Sequence, residues 1–135
     1  MSQDRSTGTG TGTGSVTERP AVDETVIEQL AGITDAQGFS VLGELLNAFL
    51  AAVPVRLEGL DRAVSRNDLK AVADQAHALI GSSASFGARG MADLCRELRH
   101  AAEQGDLHAS GALVQSLHAE FLRVRAWLVA FRSPT

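Results

Sequence analysis

One stretch of the chain combines residue types in a way that can do chemistry: Ala76-His77-Ala78-Leu79-Ile80-Gly81-Ser82-Ser83-Ala84-Ser85-Phe86-Gly87-Ala88. At about 100° per residue, Val72, Ala76, Leu79 and Ser83 centre the buried side of a helix, and His77 lies roughly 110° round from it, toward solvent. Its neighbours on the exposed side, at i−4, i+4 and i+7, are Ala73, Gly81 and Ala84, so the side chains that would normally crowd the ring are missing. A glycine inside a helix costs about 1 kcal/mol relative to alanine, and an approach path to the histidine accounts for Gly81. Near neutral pH much of such an imidazole is uncharged, with one lone pair free to attack an electrophilic phosphorus. Phosphoryl transfer needs positioning and charge neutralisation rather than covalent machinery, so one accessible histidine on a rigid helix is half of a site and a docking partner supplies the rest. The same features also fit a surface histidine beside a glycine that permits close helix packing.

No other group competes with His77. His100, His108 and His118 lack the i,i+4 spacing and the supporting Cys, His or Glu cluster of a metal site, which makes surface positions the expectation for them. Cys95 falls on an apolar stripe and reads as an inert small hydrophobe; alone, it excludes an internal disulfide and any multi-cysteine zinc site. Ser83, on the buried stripe, is expected to bond backbone one turn back, and Ser82 to keep the surface small, both as packing residues rather than nucleophiles. No Ser-His-Asp order, glycine-rich phosphate loop or paired carboxylates support a self-contained enzyme or an ATP site. No cofactor is expected.

The elements that must hold His77 are helices. The chain has 135 residues, enough for one ordinary domain, and its 44% hydrophobic content with only 4% aromatics requires a core of Leu, Val and Ala, a mix that favours helix over sheet. Residues 1–20 carry Thr-Gly repeats and almost nothing apolar, the composition of a disordered tail or linker; the folded domain is expected over 21–132. Val22, Val26, Ile27 and Leu30 behind Asp23 and Glu24 predict a short first helix. After a turn over Gly32–Gly38, with Asp35 or Thr34 as a cap, an apolar stripe of Phe39, Leu42, Leu45, Leu46, Phe49, Val53, Leu57, Leu60 and Val64 predicts one long helix to about Arg66, kinked at Pro54. A third helix follows the Asn67-Asp68 cap and ends near Phe86, with Gly87 and Gly90 in the next turn. Met91, Leu94, Cys95, Leu98 and Ala102 mark a fourth, stopped by Gly105-Asp106, and Leu113 to Phe131 a fifth, whose Trp127 seals one end. The fold class is all-α: an antiparallel four-helix bundle with an additional short N-terminal helix.

The net charge of −4, with a single lysine, excludes the basic excess of a nucleic-acid binder. No apolar run approaches the roughly 20 residues that span a bilayer, and the basic-then-apolar layout of a secretory signal is missing, so a cytoplasmic protein without membrane insertion is expected.

The run from His77 to Ala88, continued by Met91, Leu94, Cys95 and Leu98, resembles a histidine-containing phosphotransfer (HPt) domain, and the likeness extends over roughly Val22 to Phe131. The resemblance implies a monomeric phosphocarrier of a two-component phosphorelay. His77 would accept a phosphoryl group from an aspartate on one receiver domain, with Mg²⁺ in that partner, and pass it to another. The receivers would belong to response regulators or a hybrid sensor histidine kinase. Family members commonly carry a lysine three residues after the histidine, and here that position is Ile80. The neutralising charge must then come from elsewhere in the chain or from the partner, and the chain offers two candidates: Lys70, two turns earlier on nearly the same face, and Arg99, on the flank of the next helix at the family position from which a polar side chain reaches the imidazole or phosphate. Arg99 is the preferred candidate. Ala73, Ile80 and Ala84 form the expected apolar docking patch, with Arg89 and Arg96 facing an acidic receiver surface. The Ile80 departure also leaves room for a receiver-binding adaptor that does not carry phosphate efficiently.

Overall fold

The computed structural model describes residues 19–132, so all of the Thr/Gly-rich segment except Arg19 and Pro20 lies outside the described residues. Five helices follow in order: α1 Glu24–Ala31, α2 Leu42–Ser65, α3 Leu69–Ser85, α4 Arg89–Glu103 and α5 Leu107–Arg132. Each cap has a local cause. Asp23 accepts from the Thr25 N–H at 3.0 Å at the start of α1, and Asp68 from the Ala71 N–H at 3.1 Å at the start of α3, each satisfying a backbone donor that the first turn leaves open. Gly105 ends α4 with φ +77°, and Asp106 Oδ1 accepts from the Ala109 N–H at 2.9 Å to begin α5.

Three-residue connections reverse the chain between α2 and α3, α3 and α4, and α4 and α5, giving an antiparallel four-helix bundle. The seam between α3 and α4 is the most extensive, and the ring closes through α4–α5, α2–α3 and α2–α5. Leu46, Leu60, Val72, Leu79, Leu98, Leu117 and Leu128 are fully buried at its centre, each leucine contributing roughly 2 kcal/mol by leaving water. The short α1 covers one end, burying Ile27 and donating the Asp23 N–H to Gly87 O at 2.9 Å. Gly87 meets this contact with φ +73° and leaves no room for a side chain, since a Cβ there would lie 3.0 Å from Asp23 O and from Val26 Cβ.

Three local expectations are corrected. The long helix begins at Leu42, and Phe39 is 70% exposed outside it. Asp35 does not cap that helix: its Oδ1 accepts from Gln37 and Phe39 N–H at 2.9 and 3.0 Å, closing the loop on itself, while Ser40 Oγ accepts from Leu42 N–H. Gly90 lies inside α4 rather than in the turn before it, beneath the buried Glu120, whose Oε2 would sit 2.8 Å from a Cβ at that position. Arg123 Nη1 donates to Glu120 Oε1 at 2.8 Å and pairs the buried charge. Through Pro54, α2 remains one helix.

Candidate functional site

The site is built on the α3–α4 seam. Burial of Val72, Ala76, Leu79 and Ser83 fixes the rotation of α3 and turns His77 outward, where it is exposed. Burial of Cys95, Leu98 and Ala102 fixes α4 in the same way, leaving Arg96, Arg99 and Glu103 on the flank that meets α3. His77, Ile80, Arg96, Arg99, His100 and Glu103 together line a shallow concavity of about 320 Å³.

Arg99 reaches the histidine. Its Nη1 donates to His77 Nδ1 at 2.9 Å, and its Nε donates to Glu103 Oε2 at 3.2 Å, so the guanidinium is held between a ring nitrogen and a carboxylate one turn along its own helix. Arg96 and Arg99 bring two guanidinium groups to the concavity, each paired with a carboxylate of its own helix, Asp93 and Glu103, and each with further N–H donors to offer an anion. One turn along α3 from His77 the surface is open: a Cβ at Gly81 would meet nothing within 4 Å.

The remaining predicted residues distribute unevenly. Arg96 joins the concavity, its Nη1 also donating to Asp93 Oδ1 at 2.9 Å. Ile80 is half-buried, packed on the core and lining the same concavity, while Ala73 is half-buried and Ala84 exposed on the same helix. Lys70 is not brought to His77; its Nζ pairs with Asp74 at 3.2 Å. Arg89 stands at the start of α4, paired with Asp23 at 2.7 Å across the α1 junction. Glu103 was not singled out from the sequence, although it stands at i+4 from Arg99, the spacing at which opposite charges on a helix meet, and His100, expected as a plain surface position, lies exposed at the rim of the concavity.

Two further expectations concern side chains beside the site. Ser83 Oγ does not bond backbone: it is fully buried without a hydrogen-bond partner, and the back-bonds are made by Ser82 to Leu79 O and Ser85 to Gly81 O. Cys95 is buried, and desolvation pushes its thiol up to about 12 against a smaller opposing effect of Arg96, so it stays a protonated, inert thiol at neutral pH. Among the described residues no cluster of His, Cys, Asp and Glu could hold a metal ion, and no helix is long and apolar enough to cross a membrane.

With this geometry in hand, the Hpt domain family model matches residues 44–127, from the first turn of α2 to the last third of α5. The chain belongs to the Hpt domain family. Its bundle is similar to the crystal structure of histidine-containing phosphotransfer protein B (HptB) from Pseudomonas aeruginosa PAO1, with 29% identity and a TM-score of 0.78 over 85% of this chain and 96% of that one. No curated protein matched. As an Hpt domain the chain is a histidine phosphotransfer protein of a phosphorelay, a phosphocarrier rather than an enzyme, and its family interacts with receiver domains. The match spans His77, Arg99 and the whole α3–α4 seam, and leaves α1 outside it.

Proposed function

We propose that His77 is the phosphoacceptor, taking a phosphoryl group from an aspartyl phosphate on one receiver domain and passing it to a second. The observation that carries this reading is an exposed imidazole beside a small-residue approach path, with a guanidinium on its ring, in a chain of the Hpt family. In the forward step the Nε2 lone pair attacks phosphorus, the P–O bond to the aspartate breaks, and its electron pair leaves on the carboxylate. Mg²⁺ belongs to the receiver, and the chain brings neither a cofactor nor an ATP site of its own. Arg99, backed by Arg96, supplies the positive charge that Ile80 does not, lowering the cost of holding a phosphoryl group at the seam. Receivers dock over Ala73, Ile80, Gly81 and Ala84, with Arg96 at the edge facing an acidic surface and Arg89 beyond it. The carrier works as a monomer in the cytoplasm, with receivers of response regulators or of a hybrid sensor histidine kinase as partners.

Ile80 favours one second reading, a bundle that binds receivers without carrying phosphate efficiently. Mixing the chain with a phosphorylated receiver and Mg²⁺ separates the two. The phosphocarrier gains one acid-labile phosphoryl group that His77→Gln does not, whereas an adaptor binds the receiver with the chain unlabelled.

A further inference from the structure

The contact at 2.9 Å between Arg99 Nη1 and His77 Nδ1 determines where the imidazole proton sits. A guanidinium donates through all its N–H groups and accepts nothing, so Nδ1 is the acceptor and the proton of the neutral ring is on Nε2. The nitrogen that is free to meet a phosphorus therefore carries the proton, and the lone pair lies under Arg99. We propose that Arg99 is a positioning residue that keeps Nδ1 of His77 unprotonated and thereby lengthens the life of a phosphoryl group on Nε2. The inference rests on His77 being the phosphoacceptor.

The proton bookkeeping gives this contact a cycle. Before attack the ring loses its Nε2 proton to water and gains one on Nδ1. Nδ1–H and Nη1–H are then two donors facing each other, so the contact opens, with Arg99 retained near the seam by its Nε bond to Glu103. Attack forms the Nε2–P bond and leaves a ring protonated on Nδ1. That proton passes to water, and Arg99 Nη1 donates to Nδ1 again. Loss of the phosphoryl group to water breaks the N–P bond with its electrons going to the ring. The ring leaves as neutral imidazole when Nδ1 carries a proton and as a poor, anionic leaving group when it does not. A cationic donor on Nδ1 opposes that protonation and so protects the bond. The other charged and titratable groups that line the concavity with the ring are Arg96, His100 and Glu103 on α4; outside it, Lys70 of α3 is paired with Asp74 and Arg56 of α2 is bound to Gln75.

Two readouts on the full chain test this. Long-range ¹H–¹⁵N correlation of ¹⁵N-histidine-labelled protein at mildly alkaline pH reports the tautomer of His77. Wild type shows an unprotonated Nδ1, and Arg99→Glu, which places an acceptor there, moves the proton to Nδ1. After loading with phosphoramidate, Arg99→Met shortens the phosphohistidine lifetime by about tenfold, the equivalent of one lost charge-assisted contact. Unchanged circular dichroism shows that the bundle is intact. A wild-type ring protonated on Nδ1, or a lifetime that Arg99→Met leaves unchanged, overturns the proposal. Loading that slows with the lifetime unaltered reduces Arg99 to a source of charge. A His77 that takes no label in any form defeats the phosphoacceptor reading and this inference with it, an outcome told apart because the tautomer is read without phosphate.

Discussion

Two histidines sit at helix seams on opposite sides of the bundle, and their partners differ in kind. At α3–α4, His77 meets a donor, Arg99, which occupies the lone pair of Nδ1. At α2–α5, His118 meets an acceptor, its Nε2 donating to Asp61 Oδ1 at 3.0 Å and lying 3.1 Å from Oδ2. The surroundings diverge as well: His77 has Ala73 and Gly81 one turn to either side, whereas His118 has the buried Val114 and the exposed Leu122. A histidine whose N–H is taken by a carboxylate is a strut between helices. One set beside a glycine, with an arginine on its ring, has the surroundings that the proposed phosphoacceptor needs. Residue type alone does not separate the two; the partner and the neighbours at i±4 do.

The comparison breaks most sharply in a labelling experiment. With phosphoramidate as a small donor, intact mass is expected to show one acid-labile phosphoryl group on wild type and on His118→Gln, and none on His77→Gln. Label that survives in His77→Gln, or vanishes in His118→Gln, reverses the assignment of the two seams. Next in size is the approach path. Gly81→Phe is expected to reduce receiver-driven labelling by about tenfold or more while helical content persists, because a 1 Å-scale misplacement of reacting groups already costs about two orders of magnitude. Gly81→Ala separates access from folding: its Cβ meets no atom within 4 Å, so the helix gains about 1 kcal/mol in a denaturant titration. Transfer by Gly81→Phe at the wild-type rate removes the glycine from the mechanism.

Ile80→Lys sharpens the electrostatic half of the same contrast. A second cation beside the ring is expected to change the transfer rate or the phosphohistidine lifetime by about fivefold, the scale of a partly exposed charge pair worth about 1 kcal/mol. Equal kinetics in both proteins would show that the charge supplied from α4 already suffices and that Ile80 serves packing alone.

What the sequence disclosed about these seams depended on whether one helix or two decided the outcome. The exposure of His77 followed from the period of α3 by itself, since Val72, Ala76, Leu79 and Ser83 set its rotation. Arg99 was reachable because α4 carries its own buried stripe of Cys95, Leu98 and Ala102, which leaves position 99 on a flank. The grouping of His100, Arg96 and Glu103 with His77 needed the relative height of two helices, which no single-helix pattern contains. Gly90 illustrates the same limit: its glycine reads as a turn in sequence, but answers a carboxylate delivered thirty residues later by α5. The start of α2 failed for a local reason, because Asp35 spends its cap on two loop N–H groups and Phe39 is left outside. Ser83 failed because the buried stripe predicts burial but not whether the hydroxyl finds a carbonyl.

The smallest effect concerns the strut itself. Both side chains of the His118–Asp61 pair are substantially open to solvent, 37% and 47% exposed, so water competes for each charge and the pair contributes no more than about 1 kcal/mol. Asp61→Asn and His118→Gln are each expected to lower stability by less than about 1 kcal/mol, and the double variant by less than the sum, giving a coupling of about 0.2–1 kcal/mol in a double-mutant cycle. None of the three should alter labelling of His77, since the pair bonds across α2 and α5 and not to the α3–α4 seam. Stability is the quantity that distinguishes a strut from a reactive site: a coupling of zero would leave His118 as a solvated surface residue and reduce the comparison to one working histidine. A change in phosphohistidine lifetime would instead show that the two seams communicate through the core that the four bundle helices share.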